Sequence, residues 1–177
     1  MKKLLLHTCC GPCSIIAIEQ TKPNYEIILF FSNSNIHPKE EYEKRLNTAI
    51  KVSDIFNTKI IVDRYNPQNW LNKIKGYENE PEHGKRCTIC INYRLERTAK
   101  YAKEQNFNVF ATTLTTGPQK NADLINSIGR SLGKKYGIEY YKSNFKKKDG
   151  FKKSLDLSKK YNFYRQNYCG CKFSTKK

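Results

Sequence analysis

The stretch KLLLHTCCGPC, residues 3–13, joins a short apolar run to a turn that contains three cysteines. The segment Lys3–Thr8 is short and apolar, which predicts a buried β-strand. The glycine and proline that follow favour a tight turn leading into a helix that begins near Ser14. In an open α/β sheet, the turn after the first strand lies in the crevice where ligands bind. The sequence therefore predicts that Cys9–Cys13 lie at a binding site.

Strand-like and helix-like segments alternate along the rest of the chain. Short apolar runs predict further strands at Glu26–Phe31, Lys59–Val62, Asn108–Leu114 and, as a candidate fifth, Ile138–Lys142. Apolar residues at helical spacing predict helices after Pro38, over Ile91–Ala102 and over Leu124–Leu132. We therefore expect a single α/β domain over residues 1–177. Its sheet should be doubly wound and mostly parallel (Rossmann-like or HUP-like), with helices on both faces and a cysteine-rich C-terminal segment. Residues 174–177 are expected to form a frayed tail.

All seven cysteines of the chain fall into three tight clusters. The clusters are Cys9-Cys10-x-x-Cys13, Cys87-x-x-Cys90 and Cys169-x-Cys171. Grouped thiolates are typical metal ligands, and a tetrahedral zinc site or a 4Fe–4S cluster would each use four of them. The remaining three could hold a second metal with an open position, which favours catalysis over a purely structural site. The residue types leave zinc, iron–sulfur and thiol redox chemistry open, since thiolates serve all three.

The chain is strongly basic, with 33 basic and 16 acidic residues and a formal net charge of +17. This charge favours a polyanionic partner, because release of counterions strengthens the binding of basic proteins to nucleic acid. Lysines crowd one short stretch that includes Lys146, Lys147 and Lys148. Aromatic and polar residues are interleaved around Tyr164 and Arg165, a mixture that can stack a splayed base. We therefore expect contact with nucleic acid.

The amino-terminal apolar run stops after three leucines, too short for the apolar core of a signal peptide. Nor does any stretch approach the roughly 18 apolar residues of a membrane span. These features predict a cytoplasmic protein with no membrane partner, in which clustered cysteines indicate metal or redox chemistry. The chain has no Gly-x-Gly-x-x-Gly fingerprint for a flavin or nicotinamide, so electrons would come from an external donor.

Several short motifs, taken in chain order, together resemble one family. They are CCGPCS (residues 9–14), NIHP (35–38) followed by Glu41-Tyr42, RCTIC (86–90), Arg94-Leu95, ATTL (111–114), FKK (145–147) and YRQNYCGCKFS (164–174). In these motifs the chain is similar to the QueH-type epoxyqueuosine reductases, and the likeness extends from Leu4 to Ser174.

The resemblance implies an enzyme that needs no cobalamin and performs the last step of queuosine biosynthesis. Its substrate would be epoxyqueuosine at the wobble position of tRNAs with GUN anticodons, reduced to queuosine. The family carries a 4Fe–4S cluster and one additional mononuclear iron. By position, the cluster ligands would be Cys9, Cys10, Cys87 and Cys90. The ligands of the catalytic iron would be Cys13, Cys169 and Cys171, although some members have aspartate where this chain has Cys13.

The mechanism expected from this resemblance uses the iron as a Lewis acid on the epoxide C–O bond and the cluster as the source of electrons. The proton donor is unassigned, with Tyr164, Tyr168 and His37 as candidates. Substrate contacts are expected from His37, Arg86, Arg94, Lys146, Lys147, Tyr164, Arg165 and Gln166. From the residues alone, two other functions stay open. One is an RNA-binding module held by a structural zinc without catalysis, and the other is a thiol–disulfide oxidoreductase.

Overall fold

The computed structural model describes residues 1–174 of the chain. These residues form a five-stranded β-sheet in which every pairing is parallel. The strands are β1 (Lys2–His7), β2 (Tyr25–Phe31), β3 (Lys59–Val62), β4 (Val109–Thr112) and β5 (Glu139–Tyr140). Their spatial order is β3-β2-β1-β4-β5, so the winding direction reverses between β1 and β4. Ligands of open α/β sheets bind beyond the carboxyl ends of the strands at such a reversal.

Helices cover both faces of this sheet. In the described part they are α1 (Gly11–Thr21), α2 (Lys39–Ile55), α3 (Pro67–Lys73), α4 (Lys85–Glu104), α5 (Ala122–Tyr136) and α6 (Gly150–Lys160). Successive strand residues point to opposite faces, so Leu4 and Leu6 of β1 pack with α1 and α2. Leu5 between them packs with α4 and α5. All three leucines are fully buried, and each such side chain contributes about 1.5–3 kcal/mol to stability. The predicted doubly wound α/β fold is confirmed.

Two helices, α3 and α6, lie outside the helices that apolar spacing predicts. Helix α3 buries only Trp70, so no repeating apolar stripe marks it, although Asn66 caps its first turn. Helix α6 is rich in lysine and buries the small residues Gly150, Ser154 and Ser158. Small residues such as glycine and serine allow a helix to pack closely, but they produce no hydrophobic periodicity in the sequence.

The edges of three predicted elements also differ from the structure. Helix α1 begins at Gly11, ahead of the predicted start near Ser14, which places Cys13 in its first turn. Strand β4 ends at Thr112, and the residues that follow form a 3₁₀ turn at Thr113–Thr116. The reason is local, because the Thr112 hydroxyl accepts a hydrogen bond from the Leu114 N–H at 3.2 Å. The candidate fifth strand is reduced to the two residues of β5.

Of the expected frayed tail, the structure describes only Ser174, whose N–H donates to the Cys171 carbonyl at 3.1 Å. Residues 175–177 lie outside the described residues. Within residues 1–174, no helix combines the length and apolar character needed to cross a membrane.

Candidate metal centre

The first cysteine cluster lies at the carboxyl end of β1, where the sheet reverses. Cys10 caps the amino terminus of α1 and Cys13 stands in its first turn. The Sγ atoms of Cys9, Cys10 and Cys13 lie within 4.8 Å of one another, close enough to share a metal group. The amino terminus of a helix favours negative charge, so it favours thiolates at these positions.

Gly11 lets α1 approach α2 closely behind this cluster. A Cβ atom at Gly11 would lie 2.6 Å from Thr48 Cγ2 and 2.9 Å from the Thr48 carbonyl oxygen. Any larger residue would therefore push α1, and the cysteines at its start, away from α2. The glycine of the CCGPC motif is needed for close packing of two helices.

His7 fixes the strand ends beneath the cluster. It is fully buried, with Nδ1 lying 3.0 Å from Thr112 Oγ1 and Nε2 lying 3.3 Å from the Ser32 carbonyl oxygen. Burial, together with the positive charge of Arg94, lowers the pKa of His7 to about 4. The ring is therefore neutral near pH 7 and links the ends of three neighbouring strands.

The second cluster lies in the first two turns of α4, where Cys87 and Cys90 are three residues apart and share one side of the helix. Cys90 is buried and Cys87 is half-buried. The His83 N–H donates to Cys87 Sγ over 3.2 Å, which holds this sulfur at the helix start.

The third cluster, Cys169-Gly170-Cys171, is held against α2 by a buried ion pair. Arg45 Nε donates to Glu41 Oε1 at 2.7 Å, and the two side chains are only 2% and 8% exposed. The other two guanidinium nitrogens donate to the carbonyl oxygens of Tyr168 (2.9 Å) and Cys169 (3.2 Å). The Arg45 guanidinium thus donates hydrogen bonds to three acceptors and holds the C-terminal segment against α2.

Two further contacts complete this attachment. The His37 N–H donates to the Gly170 carbonyl oxygen at 2.8 Å, and the Tyr164 hydroxyl donates to Glu41 Oε2 at 2.6 Å. Gly170 has a φ of +97°, in the region that favours glycine. This backbone turn allows Cys169 and Cys171 to face the same space.

The three clusters converge around two adjoining cavities. The first cavity is lined by Asn35, Trp70, Arg86, Cys87, Cys90, Ile91, Arg94, Lys120, Cys169 and Cys171. The second cavity is lined by Cys9, Cys13, Arg45, Arg94, Thr113, Leu114, Gly117, Lys120, Gln166 and Cys169. Arg94, Lys120 and Cys169 line both. The structure therefore brings together segments that are more than a hundred residues apart in the chain.

The electrostatics of the site favour one thiolate in the first cluster and one in the third, because hydrogen bonds to that sulfur, together with burial, raise the pKa of the Cys10, Cys13 and Cys171 thiols. Hydrogen bonds from the Cys10 and Cys13 thiols hold the pKa of Cys9 well below its usual range, aided by the nearby Arg94 charge. A hydrogen bond from Cys171 lowers the pKa of Cys169 to about 4. One sulfur in each of these two clusters is thus ready to bind a cation at neutral pH. All seven cysteines are free of disulfides.

Arg94 is a buried cation that faces these sulfurs. Burial opposes its charge, but the neighbouring sulfurs of Cys90, Cys9 and Cys169 raise its pKa above the ordinary value. A buried guanidinium needs a negative counterpart, and here the counterpart is sulfur instead of a carboxylate.

Buried polar atoms without partners test whether a metal–sulfur group fits. Trp70 Nε1, Arg86 Nε and Arg94 Nε are buried and have no hydrogen-bond partner within the protein. All three residues line the first cavity beside four cysteines. Leaving a buried donor unpaired costs about 1–3 kcal/mol, so three such donors around one cavity favour a ligand that supplies acceptors. Thiolates together with surplus N–H donors fit a metal–sulfur group.

The expected substrate residues fall into two groups. Arg86, Arg94 and Gln166 line the cavities. However, Arg86 Nη1 donates to the carbonyl oxygens of Tyr77, Glu78 and Glu80, which fixes the loop before α4. That nitrogen is committed to the main chain.

The other candidates make contacts within the protein. Arg165 Nη1 donates to Ser158 Oγ at 3.0 Å, and Lys146 Nζ donates to the Lys120 carbonyl oxygen. The hydroxyls of Tyr164 and Tyr168 donate to Glu41 and to the His37 carbonyl oxygen, respectively. His37 Nδ1 lies 3.0 Å from the Asn35 carbonyl oxygen. Among the predicted lysines, Lys147 and Lys148 are exposed.

Three residues of the site were missed by the sequence analysis: Arg45, Trp70 and Lys120. For Lys120 a signal exists, because it follows the turn after β4, at the strand end that borders the reversal. Trp70 is the single tryptophan of the chain, yet it lies on the short α3 that the pattern did not reveal. The link between Arg45 and the C-terminal segment spans 124 positions, and no local pattern announces it.

Comparison with known proteins gives a consistent result. The family model described as "Epoxyqueuosine reductase QueH" matches residues 4–177. The chain is 39% identical over 179 residues to the epoxyqueuosine reductase QueH of Streptococcus pyogenes, covering 98% of this chain and 70% of that protein. It is 37% identical over 177 residues to the protein of the same name from Thermotoga maritima, covering 98% and 91%, respectively.

Two solved structures share the architecture. The U34-tRNA thiolase NcsA from Methanococcus maripaludis, solved with its 4Fe–4S cluster, gives a TM-score of 0.62 at 14% identity, covering 99% of this chain and 62% of that one. A Methanocaldococcus jannaschii protein described as a predicted subunit of tRNA methyltransferase gives 0.57 at 17% identity, covering 89% and 76%. At such identities the likeness concerns the fold alone.

Proposed function

Because the chain belongs to the epoxyqueuosine reductase QueH family, we propose that it reduces epoxyqueuosine to queuosine in tRNA. The epoxide oxygen leaves as water, and the reaction consumes two electrons and two protons. The tRNA would be one with a GUN anticodon, modified at the wobble position. The observation that supports this most is the convergence of three clusters of free cysteines and a buried arginine where the sheet reverses.

Cys9, Cys10, Cys87 and Cys90 would hold a 4Fe–4S cluster, and Cys13, Cys169 and Cys171 would hold the additional iron. In support, Cys13 and Cys169 line the same cavity, and the turn at Gly170 sets Cys169 and Cys171 side by side. Cys87 and Cys90 share one helix turn across the first cavity. In this proposal the seven thiols divide into four and three without a shared ligand.

When bound, the cluster would supply electrons one at a time and the iron would act as a Lewis acid. The chain's own residues set the surroundings of this chemistry. Arg94 offsets the negative charge of the grouped thiolates. Thr113, Lys120 and Gln166 line the second cavity beside Cys13, and they offer hydroxyl, ammonium and amide groups to the oxygens of the incoming nucleoside.

The substrate base already lies in a single-stranded loop, so presenting it costs less than extracting a base from a duplex. Electrons must come from an external donor.

This proposal is tested by metal analysis followed by an activity assay. Protein purified without oxygen should contain about five irons and about four acid-labile sulfides per chain, with the visible absorbance of a cysteine-bound cluster. With dithionite as reductant it should then convert epoxyqueuosine to queuosine in isolated tRNA, measured by nucleoside mass spectrometry. One zinc and no sulfide would contradict the proposal and favour an RNA-binding module held by zinc.

The lysine-rich turn before α6 offers a separate test of tRNA binding. Lys147 and Lys148 are exposed, and no hydrogen bond to either side chain is seen among the described residues. Replacing both with glutamine should weaken binding and reduce the slope of log affinity against log salt by about 1.4, at roughly 0.7 per phosphate contact. Filter binding of tRNA at several salt concentrations measures this slope.

A matched control removes the same charge elsewhere. Lys3 and Lys22 are exposed at the opposite end of the strands, where β1 begins and α1 ends. Glutamine at both should leave the salt slope near that of the wild type. Equal slopes for the two double variants would exclude the turn before α6 as a phosphate contact.

A further inference from the structure

The lining of the first cavity includes three N–H donors that have no hydrogen-bond partner within the protein. Trp70 is 0% exposed, Arg86 is 2% exposed and Arg94 is 6% exposed. The indole N–H of the first and the Nε–H of both arginines have no partner. Buried N–H groups are almost always hydrogen-bonded. Three unpaired N–H groups in the lining of one cavity therefore indicate a ligand rich in acceptors.

The surroundings restrict what that ligand is. Cys87 and Cys90, two of the four proposed ligands of the cluster, line the same cavity, together with Cys169 and Cys171 of the proposed iron site. Trp70 also packs in one apolar group with Cys90 and Cys171. Carboxylates, the usual partners of buried arginine, are absent from the lining of this cavity. Asn35 Oδ1 is one buried acceptor without a partner in this lining, and the other side-chain acceptors there are the sulfur atoms of the four cysteines.

We propose that Trp70, Arg86 and Arg94 donate hydrogen bonds to sulfur atoms of the iron–sulfur cluster and thereby raise its reduction potential. This inference rests on the proposed function. Reduction adds one negative charge to the cluster, so N–H dipoles and a guanidinium aimed at its sulfurs stabilise the reduced form more than the oxidised form. The three residues thus act as positioning residues that set which external donors can reduce the enzyme.

Trp70 gives the sharpest test, because phenylalanine preserves an aromatic side chain and removes the N–H. The indole ring contacts His37 and Phe173, contacts that a phenyl ring can largely retain. Trp70→Phe should shift the one-electron reduction equilibrium of the cluster about tenfold toward the oxidised form, which corresponds to about 59 mV. The readout is an anaerobic redox titration followed by visible absorbance, independent of turnover.

Phe110→Leu is the matched control. Phe110 is equally buried but lies in the middle of β4, among the residues that pack α4 and α5 on the sheet. The Phe110→Leu substitution should lower the thermal stability of the protein and leave the reduction potential of the cluster unchanged. A wild-type potential in Trp70→Phe would overturn the inference, and so would an equal shift in Phe110→Leu.

A second measurement uses the wild-type chain and covers the case in which Trp70→Phe fails to load a cluster. The chain has one tryptophan, so ¹⁵N-tryptophan labelling gives one indole N–H signal in an NMR spectrum. Assembly of the cluster should shift or broaden that signal strongly, because the proton would lie on a paramagnetic centre. An unmoved signal in loaded protein would overturn the inference. Failure of the wild type to assemble any cluster would instead contradict the proposed function.

Discussion

Replacing Cys13 with serine is expected to abolish conversion of epoxyqueuosine in tRNA while leaving most of the cluster absorbance in place. Cys13 lines the second cavity with Cys169, and in the proposed division of ligands it binds the separate iron. Serine is close to cysteine in size, so α1 should keep its position. Its hydroxyl is a hard, weakly acidic group and a poor substitute for a thiolate at a sulfur-rich iron site.

The measurement is iron and sulfide content beside activity. Cys13→Ser should contain about four irons and about four sulfides per chain, one iron fewer than the wild type. Cys90→Ser is the informative companion, because Cys90 is assigned to the cluster and should lose both sulfide and visible absorbance. Loss of the whole cluster in Cys13→Ser would contradict the division into four and three ligands. The Sγ atoms of Cys9, Cys10 and Cys13 lie within 4.8 Å of one another, so the experiment decides a point that distance alone leaves open.

The layers of the fold could be predicted because parallel strands covered on both faces leave a strong signal. In β1 three consecutive buried leucines alternate between the two faces, and such a run predicts a central strand directly. The position of the CCGPC motif after this strand then indicated a ligand site, since the carboxyl end of a first strand borders the crevice.

Other parts of the site left no local signal. Helix α3 buries Trp70 alone, and one aromatic residue creates no period. Arg86 is buried and bonds to the carbonyl oxygens of Tyr77, Glu78 and Glu80. These residues belong to a loop whose path depends on the whole fold. The substrate contact expected of Arg86 stays a prediction, and the structure shows that Arg86 Nη1 is hydrogen-bonded to the main chain.

The buried pair between Glu41 and Arg45 carries the other large expected effect. Replacing Arg45 with methionine should destabilise the protein by about 3–5 kcal/mol, because Glu41 would stay buried without its partner. Two carbonyl oxygens, those of Tyr168 and Cys169, would lose their donors in the same change. Urea unfolding of the metal-free protein measures the loss of stability.

The double variant Arg45→Met/Glu41→Leu separates stability from positioning. Removing both charges of a buried pair is often neutral or stabilising, so most of the lost stability should return. The carbonyl contacts of the Cys169–Cys171 segment should not return, since neither new side chain can donate a hydrogen bond. We therefore expect a stable protein that keeps about four sulfides but binds the separate iron weakly, with low activity.

Arg97→Met provides the control for this comparison. Arg97 makes two bonds of 2.7 and 2.8 Å to Asp63, a bidentate arginine–carboxylate pair that does not touch the C-terminal segment. Its loss should lower stability, by less than at Arg45 because Arg97 is 37% exposed, and leave iron and sulfide content unchanged. Full iron content in Arg45→Met/Glu41→Leu would show that Gly170 and the His37 contact suffice to hold the segment. If only Arg45→Met/Glu41→Leu lacks the separate iron, then Arg45 holds the two C-terminal iron ligands in place, although it lies 124 residues before Cys169 in the chain.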